Sequence, residues 1–167
     1  MNQSNPSLTH INDDGFPRMV DVGSKPVTQR RALAKSCISM KPETRALIQS
    51  NALAKGNVLQ TAVIAGIQAA KQTSLLIPMC HVLPLDSVNI TYQWIGSDCL
   101  EFAVEVSATA RTGVEMEAMV AASTAALTVY DMCKAIDREM TVSHIALWQK
   151  SGGKSGQYVR TSESTDR

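Results

Sequence analysis

Apolar and polar residues alternate along several stretches of the chain, with a period that changes from one stretch to the next. Val88, Ile90, Tyr92 and Trp94 interleave with Ser87, Asn89, Thr91 and Gln93. Leu100, Phe102, Val104 and Val106 interleave with Glu101, Ala103, Glu105 and Ser107 in the same way. A period of two is that of a strand with one wet face. Gly96-Ser97-Asp98 between the two runs is turn chemistry, so together they read as a hairpin. A looser alternation, carried by Ala34, Ser36, Ile38 and Met40, predicts a strand over residues 31–40. A last strand is expected over 141–149.

Helical spacing fills the gaps. Pro42 suits a helix first turn, and a short helix is expected over 43–51. Asn57 can accept an N–H from the first turn of a helix over 58–76. The middle of that helix, Ala62 to Ala70, is small and apolar, so almost no wet face is expected on it. Met116, Val120, Ser123, Leu127 and Tyr130 recur at helical spacing within 114–136. From residue 31 the order is β, α, β, β, α, β with one extra short helix. That is the split βαβ order of a ferredoxin-like α+β sandwich, an antiparallel sheet with the helices packed on one face. The expected organisation is a single domain over 19–156, between a flexible N-terminal arm (1–18) and a flexible C-terminal tail (157–167). The open sheet face must meet water or a partner, and the apolar excess suits an oligomer.

Composition narrows the function classes. Sixteen Lys+Arg against fifteen Asp+Glu leave a net charge of +1, which excludes a general nucleic-acid coat or a polybasic membrane binder. Aromatics are 4% of residues, too few for a base-stacking platform. Tyr92, Trp94 and Phe102 also lie on the apolar side of the hairpin rather than on an open face. No run free of charged residues reaches the roughly 20 residues of a membrane span, and the first turns of the chain hold no signal-peptide core. A cytoplasmic protein is expected. Cys37, Cys80, Cys99 and Cys133 include no C-x-x-C pair, which argues against zinc, iron–sulfur and thioredoxin-like sites. Free thiols are the expectation in that compartment.

Five segments could carry chemistry. Asp131 and Lys134 stand one helical turn apart and can act as an acid/base pair; a surface ion pair worth a few tenths of a kcal/mol has the same spacing. Glu115 and Glu117 open the same helix, where the dipole favours carboxylates with or without a function. Pro78-Met79-Cys80-His81-Val82-Leu83-Pro84 is an apolar loop pinned by two prolines, able to aim a histidine at a ligand or simply to bury it. Lys55-Gly56-Asn57 precedes a helix N-terminus, a place that suits phosphate as well as an ordinary capped turn. Ser151-Gly152-Gly153-Lys154-Ser155-Gly156 is no P-loop, because position 148, where the first glycine is required, holds Trp148. It remains a cationic, glycine-rich segment that could fold over an anion. Arg30-Arg31 and Arg111-Thr112-Gly113 add cations near element ends.

Taken together, these segments resemble the MoaC family of cyclic pyranopterin monophosphate synthases of molybdenum cofactor biosynthesis. The matching stretches include Met19-Val20-Asp21-Val22, Ala65-Gly66-Ile67-Gln68-Ala69-Ala70-Lys71, Leu76-Ile77-Pro78-Met79-Cys80-His81 and Thr112-Gly113-Val114-Glu115-Met116-Glu117-Ala118. They continue with the run from Ala125 through Tyr130-Asp131-Met132-Cys133-Lys134 to Ala135, and with Lys150 to Gly156. Val82 stands where the family more often has proline. The resemblance implies a lyase that acts on a cyclised guanosine triphosphate supplied by a radical-SAM partner and releases pyrophosphate. It also implies a homohexamer, a trimer of dimers, with sites at the dimer interface. By the same resemblance Asp131 and Lys134 are the central catalytic pair, Lys55 and His81 join them, and Arg30 lines the site. Met79, Cys80, His81, Met116 and Glu117 contact substrate, with Glu115 and Lys154 as additions. No resident metal or cofactor is implied; Mg²⁺ could arrive with the triphosphate. A catalytically silent, oligomeric nucleotide-binding module is the reading of a different class.

Overall fold

A computed structural model describes residues 14–161. Most of the expected N-terminal arm, and the end of the expected tail from residue 162, lie outside the described residues. The elements run β1 (Thr28–Ser39), α1 (Pro42–Gln49), α2 (Val58–Lys71), α3 (Thr73–Leu76), β2 (Ser87–Ile95), β3 (Cys99–Ala110), α4 (Glu115–Cys133), β4 (Thr141–Ser151) and β5 (Tyr158–Val159). The sheet order is β2-β3-β1-β4-β5, with every neighbouring pair antiparallel. Its first four strands have the ferredoxin-like order. The tail segment from residue 157 contributes β5, which extends the sheet along β4.

Register explains why one face is dry. Val88, Ile90 and Trp94 lie opposite Val106, Val104 and Leu100, and Ala32, Ala34 and Ile38 of β1 lie opposite Val106, Val104 and Leu100 from the other side. Phe102, Val104 and Val106 are completely buried. Ser36, in the middle of this layer, is fully buried and donates its hydroxyl to the Ala122 carbonyl at 2.7 Å, so its burial leaves no orphaned group. The opposite face carries Lys35 and Glu101 as an ion pair at 3.0 Å, with Lys35 also over the Trp148 ring.

α2 packs along α4, and α4 lies on β1, β3 and β4. The buried rows of α4 are alanines: Ala118, Ala121, Ala122, Ala125 and Ala126 have no exposed surface. The larger residues expected to form its stripe are displaced to the flanks, and Leu127 is 55% exposed. The reason is spacing, because a helix pressed by a sheet on one side and by a second helix on the other must carry small residues along both contacts. α2 differs from expectation too. It ends at Lys71 rather than running on to residue 76, and it buries only one face, through Val58, Ala62, Gly66, Ala69 and Ala70. Ile64 on its outer side is 67% exposed. Asn57 caps it as expected, accepting the Gln60 N–H at 3.0 Å.

The helix ends are tied to one another. α1 begins with no capping side chain of its own. The carboxylate of Asp137, in the turn after α4, accepts from the Lys41 N–H at 2.9 Å and the Thr44 hydroxyl at 3.0 Å. Its other oxygen accepts from the Glu139 N–H. The Lys41 N–H above all holds this carboxyl below the usual carboxylate range.

The expectation of free thiols is corrected for two cysteines. Cys37 and Cys99 form a disulfide between β1 and β3, with Cα atoms 6.2 Å apart, while Cys80 and Cys133 are free. Strand register brings the pair together: Ser39 lies opposite Cys99, which sets Cys37 two residues away on the neighbouring strand. Local Cys spacing cannot report such a pairing.

Gly66 sets how closely α2 approaches α4 and the sheet. A Cβ there would lie 2.6 Å from Ile90 Cδ1 and 3.1 Å from the Ala121 carbonyl oxygen. Gly66→Ala is expected to lower unfolding free energy by about 1–3 kcal/mol through overpacking, measured by urea denaturation. An unchanged midpoint would show that the helix pair has slack.

Candidate active site

Helices α2 and α4 run antiparallel, because the loop before α2 meets the end of α4 while the loop after α3 meets its beginning. The side chains singled out from sequence therefore fall into groups at opposite ends of α4.

At the C-terminal end, Lys134 Nζ donates to Asp131 Oδ1 at 2.6 Å. Lys55 Nζ donates to the Asp131 carbonyl at 3.0 Å and lies 3.9 Å from its carboxylate. The unpaired carbonyls of a helix C-terminus attract cations, which explains why two lysines converge there. The hydrogen bond from Lys134 holds the Asp131 carboxyl below its usual range, and the same bond raises Lys134. All three side chains are about half exposed or more. The group is a carboxylate held between two lysine side chains.

At the N-terminal end, Met79, Cys80, His81, Glu115, Met116 and Glu117 surround a cavity of about 300 Å³. His81 Nε2 lies 2.8 Å from the Val20 carbonyl. A carbonyl only accepts, so Nε2 carries the proton and Nδ1 is left as the other ring nitrogen. Glu117 is 4% exposed. Burial pushes its carboxyl up, against its own N–H, with Glu115 adding to the rise. Burial also raises the Cys80 thiol, helped by the Glu117 charge. This is a site where a carboxyl and an imidazole face a partly dry space.

A larger cavity of about 790 Å³ adjoins it. Lys25, Arg30, Arg111, Lys150 and Lys154 line it, with Glu115 the single carboxylate on its wall among the described residues. Arg30 is buried, and its guanidinium donates to the Ala110 carbonyl at 3.3 Å and the Arg111 carbonyl at 3.2 Å. Lys150 Nζ pairs with Glu115 at 3.3 Å and donates to Ser155 Oγ at 2.6 Å. The glycine-rich segment folds over Arg30. Gly153 has φ +73° and a Cβ there would collide with the guanidinium, so glycine is required twice over. The two cavities share Lys25, Thr112, Gly113 and Glu115 and form one cleft.

Met79, Cys80, His81, Glu115, Met116, Glu117, Arg30 and Lys154 thus share a cleft, while Lys55, Asp131 and Lys134 form a second cluster. Fourteen residues of α4 separate Glu117 from Asp131, about 21 Å at 1.5 Å per residue. Lys25, Thr28 and Lys150 also line the cleft and were not singled out from sequence as individual residues. Lys150 precedes the glycine run and Lys25 precedes Pro26, the only hint the chain offers. Among the described residues no three His, Cys, Asp or Glu side chains converge as a metal site, and no helix is long and apolar enough to cross a membrane.

Fold and cleft define a ferredoxin-like enzyme scaffold with a cationic pocket that opens onto a buried acid. A family model described as the MoaC family matches residues 19–153, and the chain belongs to that family. The chain is 52% identical over 160 residues to "Cyclic pyranopterin monophosphate synthase 3" of Mycobacterium tuberculosis, covering 96% of this chain and 90% of the relative. It is 52% identical to the cyclic pyranopterin monophosphate synthase of Syntrophomonas wolfei, over 92% of this chain and 99% of the relative. The synthase of Brevibacillus brevis is also 52% identical, over 92% and 96%.

The raised carboxyl of Glu117 has a stability consequence with a definite sign. Its folded-state value lies above the ordinary glutamate value, so ionisation opposes folding as pH rises through that range. Glu117→Gln is therefore expected to melt higher than wild type at pH 7, with the gap closing below about pH 4, while turnover falls. A lower melting temperature at pH 7 in circular dichroism would contradict the assignment of a strained buried acid.

Proposed function

We propose that this enzyme of molybdenum cofactor biosynthesis converts (8S)-3',8-cyclo-7,8-dihydroguanosine 5'-triphosphate to cyclic pyranopterin monophosphate and releases pyrophosphate. Relatives that bear the synthase name cover nearly the whole chain. The observation that carries the reading to this substrate is the shape of the cleft. Five cations line one half and a buried carboxyl with an imidazole lines the other, with Thr112, Gly113 and Glu115 common to both. A molecule with a triphosphate at one end and a guanine-derived ring at the other matches that division.

The chemistry falls into two parts. Rearrangement of the purine into a pterin needs protons delivered and removed at nitrogen and carbon. Lys134, held by Asp131, supplies an ammonium donor with a carboxylate beside it to take protons back. Closure of the cyclic phosphate needs a ribose-derived hydroxyl to attack the innermost phosphorus. The new P–O bond forms as the bond to the next phosphate breaks, the hydroxyl proton leaves to a base such as His81, and pyrophosphate departs. Lys55, Arg30 and Lys154 stabilise the charge that builds on the phosphate oxygens. Met79, Cys80, Met116, Glu115 and Glu117 shape the ring-binding half.

Both parts need the two ends of α4 at one substrate. In a single chain they stand about 21 Å apart. A second copy related by a two-fold axis, with its α4 antiparallel, brings one copy's Asp131 cluster to the other copy's cleft. Exposed Ile64, Leu75, Leu76 and Leu127 supply apolar helix-layer surface for such contacts. The full reading is a dimer-interface site within a trimer of dimers, in the cytoplasm, with substrate supplied by a radical-SAM cyclase; of this, the distance along α4 supports only the shared site. No resident cofactor is required by this chemistry; Mg²⁺ accompanies the triphosphate if it takes part.

The test is incubation of the purified protein with the cyclised triphosphate, followed by mass spectrometry for the pterin and assay of pyrophosphate. Asp131→Asn and Lys134→Ala are each expected to cut product formation by about 10²–10⁴-fold while substrate still binds. Substrate binding without turnover by the wild type would instead make the protein a silent nucleotide-binding module.

A further inference from the structure

We propose that Thr28 is a phosphate-binding residue of the cationic half of the cleft, its hydroxyl reserved for an oxygen of the bound polyphosphate. The inference rests on the reading of that cleft as the triphosphate site. Thr28 opens β1, lines the cleft beside Pro26 and Arg30, and shares with Arg30 the strand face that looks toward the helices. Its Oγ1 is closed off from solvent and has no hydrogen-bond partner among the described residues.

That state is exceptional among the described residues. The buried hydroxyls of Ser36, Thr44 and Thr73 each have a partner: the Ala122 carbonyl, the Asp137 carboxylate and the Ala69 carbonyl. A desolvated hydroxyl without a partner destabilises the fold, and such a group calls for an explanation. Its surroundings supply one. The charged side chains lining the cavity are five cations against the single carboxylate of Glu115, which favours an anion, and a phosphate oxygen accepts where the lysines and arginines only donate. A χ1 rotation is all that re-aims a threonine hydroxyl. Thr28 would complete the set of donors that Arg30, Arg111 and Lys154 begin. It adds a short-range neutral donor where the cations supply long-range charge.

The experiment is calorimetric titration of the full-length protein with inorganic tripolyphosphate, comparing wild type, Thr28→Val, Thr28→Ser and Lys154→Ala, with a melting curve for each. Thr28→Val keeps the shape and the β-branch and removes only the hydroxyl. It is expected to weaken tripolyphosphate binding roughly 10- to 100-fold and to raise KM for the cyclised triphosphate with little change in kcat. Its melting temperature is expected to equal or exceed that of wild type, because the orphaned hydroxyl is gone. Thr28→Ser should bind like wild type. If wild type binds and Lys154→Ala weakens binding while Thr28→Val does not, the assignment of Thr28 is overturned and the cleft reading stands. A Thr28→Val protein that melts lower, with binding loss that serine fails to rescue, also overturns it in favour of a purely structural role. A wild type that ignores tripolyphosphate overturns both.

Discussion

The close approach of α2 to α4 is the constraint on which the rest of the molecule depends. Gly66 and the alanine rows of α4 let the two helix backbones come close together over a sheet face filled by Ile38, Leu100, Phe102, Val104 and Val106. Packing at that density leaves little freedom to slide. Helix α4 is thereby a fixed rod, and both chemical groups are mounted at its ends. Its first turn presents Glu115, Met116 and Glu117 to the cleft, and its last turn presents Asp131 to Lys55 and Lys134. The antiparallel course of α2 follows from the same contact and delivers Lys55 to one end and the loop carrying His81 to the other.

Electrostatics differ between the two ends in a way that suits a division of labour. Asp131, Lys134 and Lys55 are paired near the surface, where solvent screens them. Among the described residues no cation pairs with the buried Glu117, and its carboxyl is held up by desolvation. Five of the six charged side chains on the cavity next to it are cations. A polyphosphate drawn into the cationic half would bring its attached ring against the one acid kept partly dry. Covering the lysine cluster with a second copy would dry it as well and strengthen its interactions.

Much of this was legible in the chain. The period-two hairpin gave β2 and β3 with the dry face of β3 as expected, although on edge strand β2 only Ile90 is buried and Tyr92 is 44% exposed, and Asn57 marked the start of α2. Ranked by spacing alone, Asp131 and Lys134 looked like any surface pair; the long motifs around them carried the family resemblance. What could not be read was anything that depends on register. Cys37 meets Cys99 across strands 62 residues apart in sequence. Asp137 caps α1 from the far end of the chain. Lys25, Arg111 and Lys150 converge on one cavity only because β1, β3 and β4 end beside one another. The stripe of α4 was misplaced because alanine reads as neutral in a periodicity argument, although here it marks the tightest contacts. Tyr158 and Val159 resembled tail because two residues carry no period at all.

The central claim is that each working site draws on both ends of α4 from different copies of the chain. Subunit complementation tests it most directly. Asp131→Asn and His81→Ala proteins, each inactive alone, are dissociated, mixed in equal amounts and reassembled, and cyclic pterin formation is measured. Sites shared between copies restore roughly a quarter of wild-type activity in the mixture, since half of the dimers are mixed and each holds one intact site. A mixture as inactive as its components would place the whole site within one chain and contradict the account.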